Sequence, residues 1–164
     1  MEPTRDRRRE AVLQRERLYT YLQRSGLERQ TVTIVPLTGD ASDRRYYRLL
    51  RRQAPSVVLA LHPEPFDHRT LPFVQVAALF REMALPVPEI LGHEDDLGLL
   101  VLQDLGDVTL QAYLGEIPRA QHEGLYRRAL TFVEILQRRG AELASSDRLP
   151  YKIAFDVEKL TWEL

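Results

Sequence analysis

Along residues 8–25 the apolar positions Ala11, Val12, Leu18, Tyr19 and Leu22 recur at the spacing of one helical face, and Gly26 follows as a stop. This predicts an amphipathic helix with an arginine-rich outer face. Arg7, Arg8 and Arg9 are interspersed with Asp6 and Glu10, the pattern of a solvated helix start rather than a nucleic-acid patch. The period then changes. Residues 31–37 alternate as a strand, residues 44–51 read as its hairpin partner, and Ser56 to Leu61 form a third, more apolar strand. Pro63 and Pro65 break the pattern.

Thr70 to Met83 predicts a helix. Thr70 is its expected cap, Pro72 suits its first turn, and Phe73, Val76, Ala77, Phe80 and Met83 make one face. Pro86 and Pro88 end it. Glu89 to His93 and Leu97 to Leu102 read as two more strands around the turn Glu94-Asp95-Asp96, with Gly98 just after. Thr109 to Leu114 suits a short helix. Pro118 opens a longer one with Leu125, Ala129, Phe132, Val133 and Leu136 on one side and Gly140 as its close. The chain stops at Trp162-Glu163-Leu164, where a further helix is expected to begin, which reads as a fragment of a protein about twice as long, on the absence of a helix stop signal.

Composition narrows the chemistry. The formal charge of the 164 residues is −1, so no global field attracts nucleic acid or membrane. There is no cysteine, hence no disulfide framework and no thiolate metal site. No apolar run approaches the roughly 20 residues of a membrane helix, and the charged N-terminus is not a secretory signal. A cytoplasmic protein is expected. Basic charge is nearly all arginine: the lysines are Lys152 and Lys159, and asparagine is absent.

Three segments carry candidate chemistry. The first is the polar loop Gly39, Asp40, Ala41, Ser42 and Asp43, followed by Arg44, Arg45, Tyr46, Tyr47 and Arg48. Small residues at a hairpin turn let a phosphate approach backbone N–H groups, and arginines add charge-assisted bonds. The same residues also suit an ordinary surface hairpin. There is no Gly-Lys pair of a Walker A loop. The second is Leu99 to Asp107, an apolar strand stopping at a short linker, which suits either a nucleotide-binding hinge or a plain strand exit. The third is the helix from Thr70 with Gln75 and Glu82. Protein kinases pair a helix glutamate with a strand lysine, but here the third strand is apolar throughout, leaving Arg44 or Arg45 as the substitute cation. His62, His68, His93 and His122 show no metal-ligand spacing, and His93-Glu94-Asp95 reads as surface chemistry without a catalytic role.

Taken in order, these residues resemble the aminoglycoside phosphotransferase superfamily, with the N-acetylmuramate/N-acetylglucosamine 1-kinase branch the nearest likeness. The resemblance rests on Gly39-Asp40-Ala41-Ser42 with Arg44-Arg45-Tyr46-Tyr47-Arg48, Val57 to Ala60 with Pro63 and Pro65, Pro72-Phe73-Val74, Val87-Pro88, and Leu102-Gln103-Asp104-Leu105-Gly106. Asp43 departs from it, standing where the family usually has phenylalanine. The resemblance implies an α+β fold: the small lobe of a protein-kinase-like enzyme, a five-stranded antiparallel sheet with a helix after the third strand, preceded by an extra helix. It also implies a lobe over residues 1–103, then a hinge and the first helices of a helical lobe over 104–164. It implies transfer of the γ-phosphoryl group of ATP, with Mg2+, to a sugar or amino-sugar hydroxyl. The nucleotide contacts it implies are Gly39, Asp40, Ala41, Ser42, Asp43, Arg44, Arg45, Leu59, Leu102, Gln103, Asp104 and Leu105. The catalytic aspartate and the metal ligands of the family have no counterpart in these residues, so this chain alone is expected to be inactive, with dimerisation through apolar surface meant for the missing part. The alternative is a non-catalytic nucleotide-binding or interaction module.

Overall fold

The computed structural model describes residues 3–37, 43–152 and 161. The loop Gly39 to Ser42 and the helix start expected at Trp162-Glu163-Leu164 lie outside the described residues. By contacts the chain divides into two units, Met1–His68 with Pro88–Leu105, and Arg69–Val87 with Gly106–Leu164.

The first unit is one helix on a five-stranded antiparallel sheet. Helix α1 (Pro3–Arg24) precedes β1 (Thr31–Leu37), β2 (Arg45–Arg51), β3 (Val57–Leu61), β4 (Ile90–Glu94) and β5 (Leu99–Gln103). The strand order is β1-β2-β3-β5-β4. Pro36 is tolerated because β1 is an edge strand. The predicted strands and the α+β small-lobe architecture are therefore observed, β3 and β5 as near-continuous apolar runs.

Strand alternation sorts the side chains onto two faces. Registers Ile34↔Leu49, Leu49↔Val57, Leu59↔Val101 and Leu61↔Leu99 place one apolar set together. This set packs with Leu18, Tyr21 and Leu22 of α1. Leu49, Leu59 and Leu99 are fully buried, each contributing about 1.5–3 kcal/mol relative to exposure. Val12 and Tyr19 of α1 are instead about half exposed. The inward stripe is Leu18, Tyr21 and Leu22, so the helix uses Tyr21 where the periodicity suggested Tyr19.

The second unit holds α2 (Pro72–Glu82), α3 (Leu110–Glu116) and α4 (His122–Glu142). Leu79, Met83 and Leu85 form its core with Phe80, Phe132, Ile135 and Leu143. Thr70 is not the cap of α2. Pro72 takes the first helical position and pushes the preceding residue, Leu71, to extended geometry (φ −65°, ψ 126°), so Leu71 is the cap residue. Thr109 does cap α3, its Oγ1 accepting from the Ala112 N–H at 3.2 Å. Gly140 does not close α4. The helix runs through it, and the Tyr151 hydroxyl donates to its carbonyl at 2.5 Å. Val133 and Leu136 are exposed, and Phe132 with Ile135 supplies the inward contact.

Helix α2 ends in a Schellman turn, with the Leu85 N–H on the Phe80 carbonyl and the Ala84 N–H on that of Arg81, both at 2.9 Å. The residue at the left-handed position is Ala84, φ 60°, where glycine is usual. A left-handed alanine costs about 1–2 kcal/mol, of which glycine's larger unfolded-state entropy returns roughly half. Ala84→Gly is therefore expected to raise stability by about 0.5–1 kcal/mol, read as a higher urea midpoint. A lower midpoint would show that the turn carries no strain.

Candidate functional site

The exit of β5 is held by a buried ion pair. Arg48 on β2 lies opposite Val58, and Val58 opposite Leu102, so all three share the sheet face turned away from α1. Two residues beyond Leu102, Asp104 continues on that face. Its Oδ2 is 2.7 Å from Arg48 Nε, and its Oδ1 accepts from Arg48 Nη2 at 2.9 Å. The Ser56 hydroxyl donates to Oδ2 at 2.6 Å. The side chains of Arg48 and Asp104 are only 15% and 6% exposed, so the pair is screened little by solvent. One residue earlier, the Gln103 N–H donates to the Glu89 carbonyl at 2.8 Å, and Gln103 Oε1 accepts from the Glu89 N–H at 3.2 Å. The segment that follows opens out: Leu105 is 66% exposed and Gly106 adopts φ 77°.

These contacts show what holds each residue at the β5 exit. The carboxylate of Asp104 is an anchor, engaged by Arg48 and Ser56. The Gln103 N–H is engaged by Glu89. Leu105 presents its surface to solvent. Leu102 is buried on the face opposite α1. Arg48 and Ser56 were not among the expected site residues. The signal for Arg48 was available, since a period of two places it with Tyr46 inside the arginine–tyrosine run. Ser56, outside the strand pairing, gave none.

The two adjacent arginines point to opposite sides. Arg45 pairs with Leu61, on the α1 side, and lines a cleft of about 600 Å³ with Asp43, Arg17, Glu10 and Glu64. Mixed acidic and basic lining makes that cleft a poor anion site. The Arg44 guanidinium carbon lies 5.9 Å from the Tyr46 ring centroid, and Tyr46 pairs with Ala60 on the other face. Arg44 is thus the one of the two that shares a face with Ala60 and Leu102. Leu59 is fully buried against the α1 layer and offers no surface to a ligand; Ala60 is its neighbour on the opposite face. On that face Val35, Leu37, Tyr46 and Val58 are partly exposed, while Ala60, Leu100 and Leu102 are buried. The partly exposed part is apolar with one aromatic ring, the chemistry a purine base needs. Asp43 is exposed.

On α2, Gln75 and Glu82 each have a partner within the second unit. The Gln75 amide donates to the Arg69 carbonyl at 2.9 Å. Glu82 accepts from Arg148 at 2.8 and 3.2 Å, and this hydrogen bond holds its carboxyl below the usual range.

Arg17 docks α1 onto the strand connections. Its guanidinium donates to the carbonyls of Leu97, His62 (2.8 Å) and Pro63 (3.1 Å). His62 stacks edge-on against Phe66 with centroids 4.9 Å apart. Its Nε2 is buried without a hydrogen-bond partner among the described residues. Burial, then the charges of Arg44 and Arg17, push the His62 imidazole below its ordinary value. The folded chain then binds fewer protons than the unfolded chain between that lowered value and about 6.5. Stability is expected to fall as pH drops through this window, and His62→Gln should flatten the slope. Urea titrations at pH 7.5, 6.5 and 5.5 check this; an unchanged slope in the variant would remove His62 from the account.

Residues 33–163 match the phosphotransferase enzyme family. Among curated proteins, the N-acetylmuramate/N-acetylglucosamine kinase of Pseudomonas aeruginosa is 34% identical over 105 residues, 64% of this chain. The protein of the same name from Neisseria meningitidis serogroup B is 35% identical over 105 residues, 63% of this chain. In each case the match spans 30% of the relative's length. No solved structure matches the chain.

Proposed function

Since the chain belongs to the phosphotransferase enzyme family, we propose that it supplies the nucleotide-side lobe of an ATP-dependent kinase acting on a sugar or amino-sugar hydroxyl. The observation that carries this reading is the family match over residues 33–163, which takes in the strands, the clamped β5 exit and the hairpin. The names of the two relatives favour an N-acetylated amino sugar as acceptor. Val35, Leu37, Tyr46 and Val58 would flank the base, the backbone at Gln103 to Leu105 would meet its edge, and Arg44 would neutralise phosphate. Arg45 and Asp43, facing the α1-side cleft, would act less directly.

Phosphoryl transfer depends on positioning and on charge neutralisation by magnesium. With no asparagine in the sequence, the usual kinase metal site is not assembled from these residues. The 164 residues are therefore expected to bind ATP without transferring phosphate. Exposed Leu130, Val133 and Leu136 on α4 are expected to drive self-association, which sedimentation velocity would register. Among the described residues, no helix is long and apolar enough to cross a membrane.

The test is isothermal titration of the chain with ATP, beside an assay of the gene-length protein with ATP, Mg2+ and a panel of amino sugars, choline, homoserine and aminoglycosides. Transfer to an amino sugar, with ATP affinity of the chain lowered by Arg44→Ala more than by Arg45→Ala, is the expected result. ATP binding without transfer to any acceptor would favour a non-catalytic nucleotide-binding module. Absence of both would overturn the proposal.

A further inference from the structure

The β4–β5 turn carries a second constellation, away from the β5 exit. His93 is the penultimate residue of β4, and Asp95 opens the 3-10 turn Asp95–Leu97. His68 comes from the connection after β3. The His68 and His93 rings stack with centroids 3.6 Å apart and planes 22° from parallel. One carboxylate serves both: Asp95 Oδ2 is 3.0 Å from His68 Nδ1, and Asp95 Oδ1 is 2.9 Å from His93 Nδ1. A second carboxylate stands near, with Asp67 Oδ1 4.0 Å from His68 Nδ1. The backbone already fixes the frame, since the His68 N–H donates to Asp95 Oδ2 at 3.1 Å and the Phe66 N–H to the Asp95 carbonyl at 3.0 Å.

We infer that His68, His93 and Asp95 form a site for one borderline divalent ion such as Zn2+. Their ligand atoms all lie within 4.8 Å of one another. In a tetrahedral shell, bonds of about 2.0–2.2 Å to nitrogen and oxygen put neighbouring ligand atoms about 3.3–3.6 Å apart. The nitrogen–oxygen spacings of 2.9 and 3.0 Å therefore need only small movements to admit an ion. Two imidazoles select zinc, cobalt, nickel or copper over the oxygen-seeking Mg2+ and Ca2+. Each neutral imidazole would carry its proton on Nε2 and bind through Nδ1. The side chains are 25%, 41% and 33% exposed, so an ion can enter from solvent and water can complete the shell. The bound ion would staple the β3–α2 connection to the β4–β5 turn. This role is separate from any magnesium used in phosphoryl transfer.

The test is titration of the tag-free chain with Zn2+ against a competing chelator, with Co2+ as a coloured replacement. The expected result is one ion per chain, no displacement by millimolar Mg2+, and a visible Co2+ absorption band. Even changes outside a coordination shell lower metal affinity about 10–100-fold, so His93→Gln and Asp95→Asn should each weaken binding by at least about tenfold. His122→Gln, on α4, should leave it unchanged. If the variants misfold by circular dichroism, histidine NMR signals of the unaltered chain decide: zinc must shift His68 and His93 and spare His122. No stoichiometric binding, equal affinity in His93→Gln and His122→Gln, or shifts at other histidines would overturn the assignment and leave a hydrogen-bonded histidine pair only.

Discussion

Asp104→Ala is expected to destabilise the chain by about 3–5 kcal/mol, because it strands the Arg48 guanidinium in a nearly dry position. In the folded chain that guanidinium meets two carboxylate oxygens at 2.7 and 2.9 Å, and the Ser56 hydroxyl donates to the same carboxylate. Removing the carboxylate leaves the burial cost of the cation without its compensation. Arg48→Ala should be damaging for the same reason, read from the other partner. The double alanine variant should lose less than the sum of the two. Combining Arg48→Met with Asp104→Leu should recover much of the loss, since the charge itself is costly to bury. Urea unfolding of these variants beside the unaltered chain checks this. Additive losses would show that the two side chains act independently. A second readout follows from position. Asp104 lies beside the segment proposed to meet the nucleotide base, so Asp104→Asn, which keeps shape and loses charge, should weaken ATP binding as well as lower stability.

Gly98→Ala is expected to cost about 2–5 kcal/mol, combining left-handed strain of about 1–2 kcal/mol with overpacking of about 1–3 kcal/mol. Gly98 has φ 59°, and a Cβ there would sit 2.5 Å from the Glu64 carbonyl oxygen and 3.0 Å from its carbon, as well as against the Arg17 guanidinium. The backbone obstacle cannot swing aside, because the Gly98 carbonyl accepts from the His62 N–H at 2.8 Å and the same connection carries the carbonyls that Arg17 holds. The damage should therefore spread to α1, whose docking depends on Arg17. Hydrogen exchange would show it as faster exchange along α1 in the variant. Protection equal to that of the unaltered chain, with less than about 1 kcal/mol lost, would mean that the connection can shift at little cost. Gly26 is a contrast: φ is 68°, yet nothing lies within 4 Å of a Cβ placed there, so its substitution should cost the backbone strain alone.

Much of the fold is legible in the amino-acid sequence. Runs such as Val57 to Leu61 and Leu99 to Val101 leave little choice but buried strands, and the shift from period two to helical spacing at Pro72 marks α2. Periodicity failed where a single side chain had two plausible homes. On α1 the stripe turned on Tyr21 rather than Tyr19, a rotation that only packing against the sheet can choose. Gly140 looked like a stop, but the helix runs on to Glu142, and the Gly140 carbonyl, in the last turn, is satisfied by the Tyr151 hydroxyl. Thr70 looked like a cap, but Pro72 displaced the cap by one residue through its steric effect on Leu71.

The candidate site divides the same way. Alternation along the strands, a property of the backbone, already implied that Arg45 and Tyr46 face opposite ways. The order of segments carried the family likeness. Which groups hold these side chains depended on neighbours far along the chain: Arg48 and Ser56 hold Asp104, Glu89 holds Gln103, and the α1 layer covers Leu59. The histidines looked scattered because His68 and His93 lie 25 positions apart, and a sequence has no measure of distance across a sheet. By itself the sequence determined where the elements lie, which positions are apolar, and which chemistries lack their residues. The tertiary structure decided which face each side chain takes and which polar groups meet, because burial and charge pairing are settled by contacts between segments rather than within them.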